Sequence, residues 1–134
     1  MGKKKEKVYV LECTKQQLEL ISESVEHYSR LLAGQIDEIY PPRLKFRKTK
    51  QQINIDAVRS LTFLLKQNIF PELHEHASYG VGNREIPIIN DLYDIYKEIN
   101  HFIYIQSGST DYSVNSHGSL GYSKLPKIKL MEKK

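Results

Sequence analysis

Between Lys7 and Cys13, Val8, Val10 and Glu12 alternate with Tyr9, Leu11 and Cys13. A period of two among β-branched and aromatic residues predicts a short strand. At Thr14 the rhythm changes. Thr14 with Gln17 three residues later is a capping-box pattern, in which each side chain satisfies the other residue's backbone N–H at a helix start. Leu18, Ile21, Val25, Tyr28, Leu32 and Ile39 then mark one apolar stripe of a helix that Pro41 and Pro42 end. Where the stripe should continue stands Gln35, beside Gly34.

A second Thr-x-x-Gln pattern, Thr49 to Gln52, opens another helix. Ala57, Val58, Leu61, Leu64, Leu65 and Ile69 are its predicted buried face, and Pro71 its stop. Residues 71–85 lose the periodicity; His74, His76, Ser78, Gly80, Gly82 and Asn83 predict an ordered loop. The third helix runs from about Pro87, a residue suited to a first helical turn, to about Ile105. Ile88, Leu92, Ile95, Ile99 and Phe102 form one stripe, and Ile89, Tyr93, Tyr96 and Ile103 a second beside it. Two adjacent stripes predict a helix covered on more than one side, central or at a subunit interface. Residues 107–123 read as loop, and residues 122–130 as an edge strand pairing with residues 8–11. The expected fold is α+β and mainly helical, a three-helix core with short N- and C-terminal strands.

The length of 134 residues suits one domain with a real core. No linker or repeat divides it, so the reading is a single domain, 1–134, with basic tails at about 1–6 and 130–134. The net charge of +4 changes meaning once it is located. Residues 1–11 hold four lysines and one glutamate, and residues 124–134 hold five lysines and one glutamate, leaving the middle of the chain slightly acidic. Such a distribution argues against a nucleic-acid-binding face. The internal exception is Arg43, Lys45, Arg47, Lys48 and Lys50, read either as a phosphate contact or as a solvated basic loop. No apolar run approaches the roughly 18 residues of a membrane span, and Val8 to Leu11 is too short for a signal-peptide core. An intracellular domain with no membrane partner is expected.

Chemistry-bearing motifs are sparse. Cys13, the single cysteine, has no local base and reads as a buried structural thiol. No P-loop, dinucleotide fingerprint or Gly-x-Ser-x-Gly occurs. His74 and His76 share a face only on a strand and have no third ligand nearby, so neither a metal nor a cofactor is expected. Asp91 and Asp94 allow acid–base cooperation or simply mark a solvated first helical turn.

Two features stand out. Gly34 within a helix costs roughly 1 kcal/mol relative to alanine. Its presence beside Gln35 fits either a close backbone approach by a partner or ligand, or a stripe that frays toward Pro41. Nine tyrosines accompany four phenylalanines and no tryptophan. A tyrosine can stack on a base and hydrogen-bond it, or pack a core with its hydroxyl led to water.

Tyr28-Ser29-Arg30 with Gly34-Gln35, then Ala77-Ser78-Tyr79-Gly80, Asp91-Leu92-Tyr93-Asp94-Ile95-Tyr96, Asn100-His101 and Leu125-Pro126-Lys127-Ile128 occur in this order. The series resembles a widespread family of small, mostly uncharacterised phage and prophage proteins. That resemblance implies a phage origin and action in the cytoplasm of a bacterial host; it supplies no activity. Three functions then compete. A non-enzymatic binding protein would capture a small anionic or nucleotide-like molecule and block a bacterial defence signal. An inhibitor or adaptor would bind a host protein. A nucleotide hydrolase would need a nucleophile that the sequence does not offer. The expected ligand site joins Arg30, Gln35, Ser78, Tyr79, Asn83 and Tyr96 in one pocket, with Arg30 on a phosphate or carboxylate. The doubly apolar third helix predicts a homo-oligomer.

Overall fold

Thr14 opens the first helix as its sequence requires. Its side chain accepts from the Gln17 N–H at 3.1 Å, and its own N–H donates to the Gln17 side chain at 2.9 Å. The computed structural model describes residues 4–39 and 54–134, and in it this helix, α1, spans Lys15–Leu32. It stops well before Pro41. Gly34 adopts φ +96° and donates to the Leu31 carbonyl at 3.1 Å, while the Gln35 N–H donates to the Arg30 carbonyl at 2.9 Å. These paired bonds are a Schellman stop, which satisfies carbonyls the helix would leave open. A short 3-10 turn follows at Ile36–Ile39.

The helix α2 spans Ile55–Ile69, with Asn54 accepting from the Ala57 N–H at 3.0 Å. The Thr49–Gln52 pattern and the basic cluster from Arg43 to Lys50 lie outside the described residues. The helix α3 spans Pro87–Gln106 with proline in its first turn. The core is the α1–α3 pair: Ile89 and Ile99 are almost completely buried, as are Ser22 and Ser29 on α1. Two small residues seven apart share one helix face and let the backbones approach. Ser22 Oγ donates to Asn100 Oδ1 at 2.5 Å across that contact. The helix α2 packs instead against the 3-10 turn at the end of α1.

Three expectations need correction. The leucine stripe of α2 is not buried. Ala57, Leu61, Leu64, Leu65 and Ile69 are exposed, Leu61 by 65 %, while Thr62, Phe63 and Lys66 turn inward. Periodicity defines a stripe but not which side is covered. Second, no terminal strand forms among the described residues. Residues 8–11 are 76–91 % exposed, because a strand needs a backbone partner and none lies alongside among the described residues. Cys13 is consequently exposed rather than a buried thiol. Third, Asp91 and Asp94 are not a solvated first turn: Asp94 is buried, and both hold the returning chain.

That returning chain explains how an aperiodic segment becomes ordered. Running back along α3, Tyr104 Oη donates to the Asp111 carbonyl at 2.6 Å, and His101 Nδ1 lies 3.0 Å from the Asn115 carbonyl. The Ser119 N–H donates to Glu98 Oε1 at 2.8 Å, and the Ser123 N–H to Asp94 Oδ2 at 2.9 Å. Ser123 Oγ also donates to Asp91. Side-chain carboxylates thus do the work expected of a strand ladder.

Glu98 makes this strap sensitive to acid. Burial pushes its pKa up, but the Ser119 N–H and hydroxyl, with Lys127 and His101 nearby, hold it below the ordinary carboxylate value. A carboxylate depressed in the fold stabilises fully above its unfolded pKa of about 4.3 and loses that contribution as pH falls through the lower folded value. Thermal melts from about pH 6 down to about pH 3 are expected to fall more steeply for wild type than for Glu98→Gln. Parallel curves would remove Glu98 from the strap.

Candidate functional site

A cavity of about 380 Å³ opens between the 3-10 turn, the inward face of α2 and the loop after it. Gln35 enters it from the stop of α1; Arg59, Thr62 and Lys66 enter from α2; His76 and Ser78 close it from the loop. Positions 59, 62 and 66 share a face by helical spacing. Gln35 Nε2 lies 3.5 Å from Ser78 Oγ, a long contact that joins residues 43 positions apart. Such a volume falls at the lower end of the range for small-molecule pockets.

Lys66 is the unusual member. It is only 7 % exposed, and its ammonium donates to the Glu75 carbonyl at 2.9 Å and to the Ala77 carbonyl. It forms no ion pair with any described residue. The Glu75 carboxylate turns outward toward His76 Nε2, 3.9 Å away, and Asp37 on the cavity wall is exposed. The chain reversal at Pro71 brings these carbonyls over α2, and the Tyr79 N–H ties the loop to the end of α1 by donating to the Ala33 carbonyl at 2.8 Å.

The residues nominated from sequence separate into distinct places. Gln35 and Ser78 share the cavity. Tyr79 stands behind them as a support: its hydroxyl donates to Glu72 Oε1 at 2.6 Å, and its ring tilts against Phe70 with centroids 6.5 Å apart. The hydrogen bond to Glu72 is the main reason that its pKa is raised. Arg30 is outside the cavity, paired with Glu26 at 2.9 Å one turn back on α1. Tyr96 belongs to that neighbourhood. Burial first, then Glu26 and Tyr93, push its pKa up to about 12, with Arg30 opposing. Tyr96 also meets Tyr93 edge-on, centroids 5.3 Å apart. Asn83 is elsewhere again, in the loop before α3, where its side chain accepts from the Glu85 N–H at 2.8 Å.

Arg59, Lys66 and His76 are the site members that sequence reading missed. A lysine among leucines on an amphipathic helix reads as solvated, and nothing local announces the carbonyls that bury it. A second cavity of about 260 Å³, between α1 and α3, carries Glu19, Glu23 and Glu26. Its three carboxylates make it unsuited to an anion. The chain matches no protein-family model, no curated protein and no solved structure. Among the described residues no helix is long and apolar enough to cross a membrane.

Proposed function

We propose that this chain is a binding protein that captures a small anionic, nucleotide-like molecule and releases it unchanged. The observation that carries this reading is the convergence of Gln35 and Ser78 on a polar cavity edged by Arg59, Lys66 and His76. Amide and hydroxyl groups suit the edge of a base or a ribose, Phe63 offers an apolar wall, and Arg59 and Lys66 suit an anionic end, with the Asp37 carboxylate exposed on the same wall. In the phage setting that the resemblance implies, holding a defence signal away from its receptor in the host cytoplasm requires affinity and no chemistry. Purified protein is mixed with a bacterial small-molecule extract, washed and heat-denatured, and the released material is examined by mass spectrometry. An intact nucleotide-like anion is the expected result. A chemically altered product supports the hydrolase reading instead, and an empty protein removes capture.

The outward leucines of α2 favour a second role, for a protein partner. Leu61, Leu64, Leu65 and Ile69 form an exposed apolar face of a kind monomers seldom leave open. A second copy of this chain is the occupant proposed, since one helical stripe can pair with its own image about a two-fold axis. Light scattering at micromolar concentration is expected to give a dimer or larger species, and Leu61→Glu with Leu64→Glu a smaller one of unchanged helix content. A monomeric wild type excludes the self-association and leaves the host-protein inhibitor or adaptor as the partner reading.

A further inference from the structure

We infer that Lys66 is the seat of a phosphate group in the 380 Å³ cavity, with Arg59 at its side, a role that presupposes the capture function proposed above. An ammonium has three hydrogens. Two are engaged by the Glu75 and Ala77 carbonyls, and because Lys66 lines the cavity, the third is left for a group bound there. A buried cation with no counter-ion among the described residues is costly, and carbonyl dipoles offset only part of that cost. An arriving phosphate supplies the missing charge in a place where water screens it weakly. Lysine is a common phosphate partner of this kind, acting as a point charge.

Of the neighbouring groups Arg59 fits the same assignment, and the Asp37 carboxylate on the wall is exposed, where water screens it. Arg59 sits seven residues before Lys66, two turns along the same face. It is exposed and forms no ion pair with a described residue. Its guanidinium can therefore meet an anion at the cavity mouth without first breaking a bond. Arg30, the cation nominated from sequence, is already held by Glu26. The Gln35 and Ser78 side chains lie across the cavity and are left for the uncharged part of the ligand.

Titration calorimetry on the full chain separates the two layers of this assignment. The probes are the four ribonucleosides, their 5′-monophosphates and inorganic pyrophosphate. A monophosphate is expected to bind at least about tenfold tighter than its nucleoside, as a charge-assisted contact implies. Lys66→Met should abolish that preference. Since Lys66 also holds the loop, Arg59→Ala serves as the variant that keeps the fold; it should lower monophosphate affinity several-fold more than nucleoside affinity. Equal affinity for nucleosides and monophosphates overturns the phosphate seat and leaves capture standing. Binding of pyrophosphate alone upholds the seat and overturns the nucleotide-like ligand. Binding of none of the probes overturns both.

Discussion

Gly34→Val is expected to destabilise the protein by about 3 kcal/mol, the largest effect of any exchange in the loop-and-turn framework of the site. Gly34 adopts φ +96°, where an L-residue is strained by about 1–2 kcal/mol and a β-branched one is an outlier. A Cβ there would also stand 2.5 Å from Leu73 Cδ1, with Phe70 behind it. Leu73 is a flexible end and can retreat, at a packing cost of about 1 kcal/mol or more. Gly34→Ala, with the same strain but less bulk, is expected at about 2 kcal/mol. Urea denaturation reads both, as a lower midpoint with an unchanged slope. Stability within about 0.5 kcal/mol of wild type would mean that the Schellman stop does not hold α1. The glycine therefore answers to its positive φ and to the chain's own Leu73.

Asn90→Ala is expected to cost about 2 kcal/mol, through two hydrogen bonds lost at once. Asn90 is buried on the first turn of α3. Its Oδ1 accepts from the Gly82 N–H at 2.6 Å, and its Nδ2 donates to the Asn83 carbonyl at 3.1 Å. One side chain thus holds two consecutive residues of the loop that leads into α3, where Gly82 takes φ +89°. Besides a lower denaturation midpoint, trypsin should cut faster after the exposed Arg84, because cleavage follows local opening. An unchanged cutting rate alongside unchanged stability would show that the loop is held by something other than Asn90. Asn90→Asp keeps the acceptor and loses the donor, so its effect should lie between wild type and alanine.

The contrast between Arg30 and Lys66 shows where sequence reading fails for a site. A long cation is assigned by whatever lies within about 4 Å of its tip. For Arg30 that group is Glu26, one turn back in the same helix, and the pairing was legible from an i, i+4 spacing. For Lys66 the groups are carbonyls 9 and 11 residues onward, delivered by a chain reversal. Gln35 and Ser78, 43 positions apart, meet only because the fold brings them to one cavity. Asn83 and Tyr96 stand elsewhere, Asn83 bonded to the Glu85 N–H and Tyr96 edge-on to Tyr93.

What the sequence determined by itself are the features whose causes are local. Thr14 and Gln17 close their capping box within three residues, Pro87 starts α3 with its fixed φ, and the apolar rhythms demand three helices. What only the tertiary structure decided is every relation between distant segments. The leucines of α2 face outward because the end of α1 is covered by the other side of that helix. Residues 8–11 pair with no strand among the described residues, although Lys133 reaches Glu12 beside them. Asp91, Asp94 and Glu98 became a strap because Ser119 and Ser123 return past them at matching spacing. Local rules act through bonds between near neighbours, which any conformation of the chain can sample. Burial and charge pairing depend on which surfaces meet, and that is settled only when the whole chain has folded.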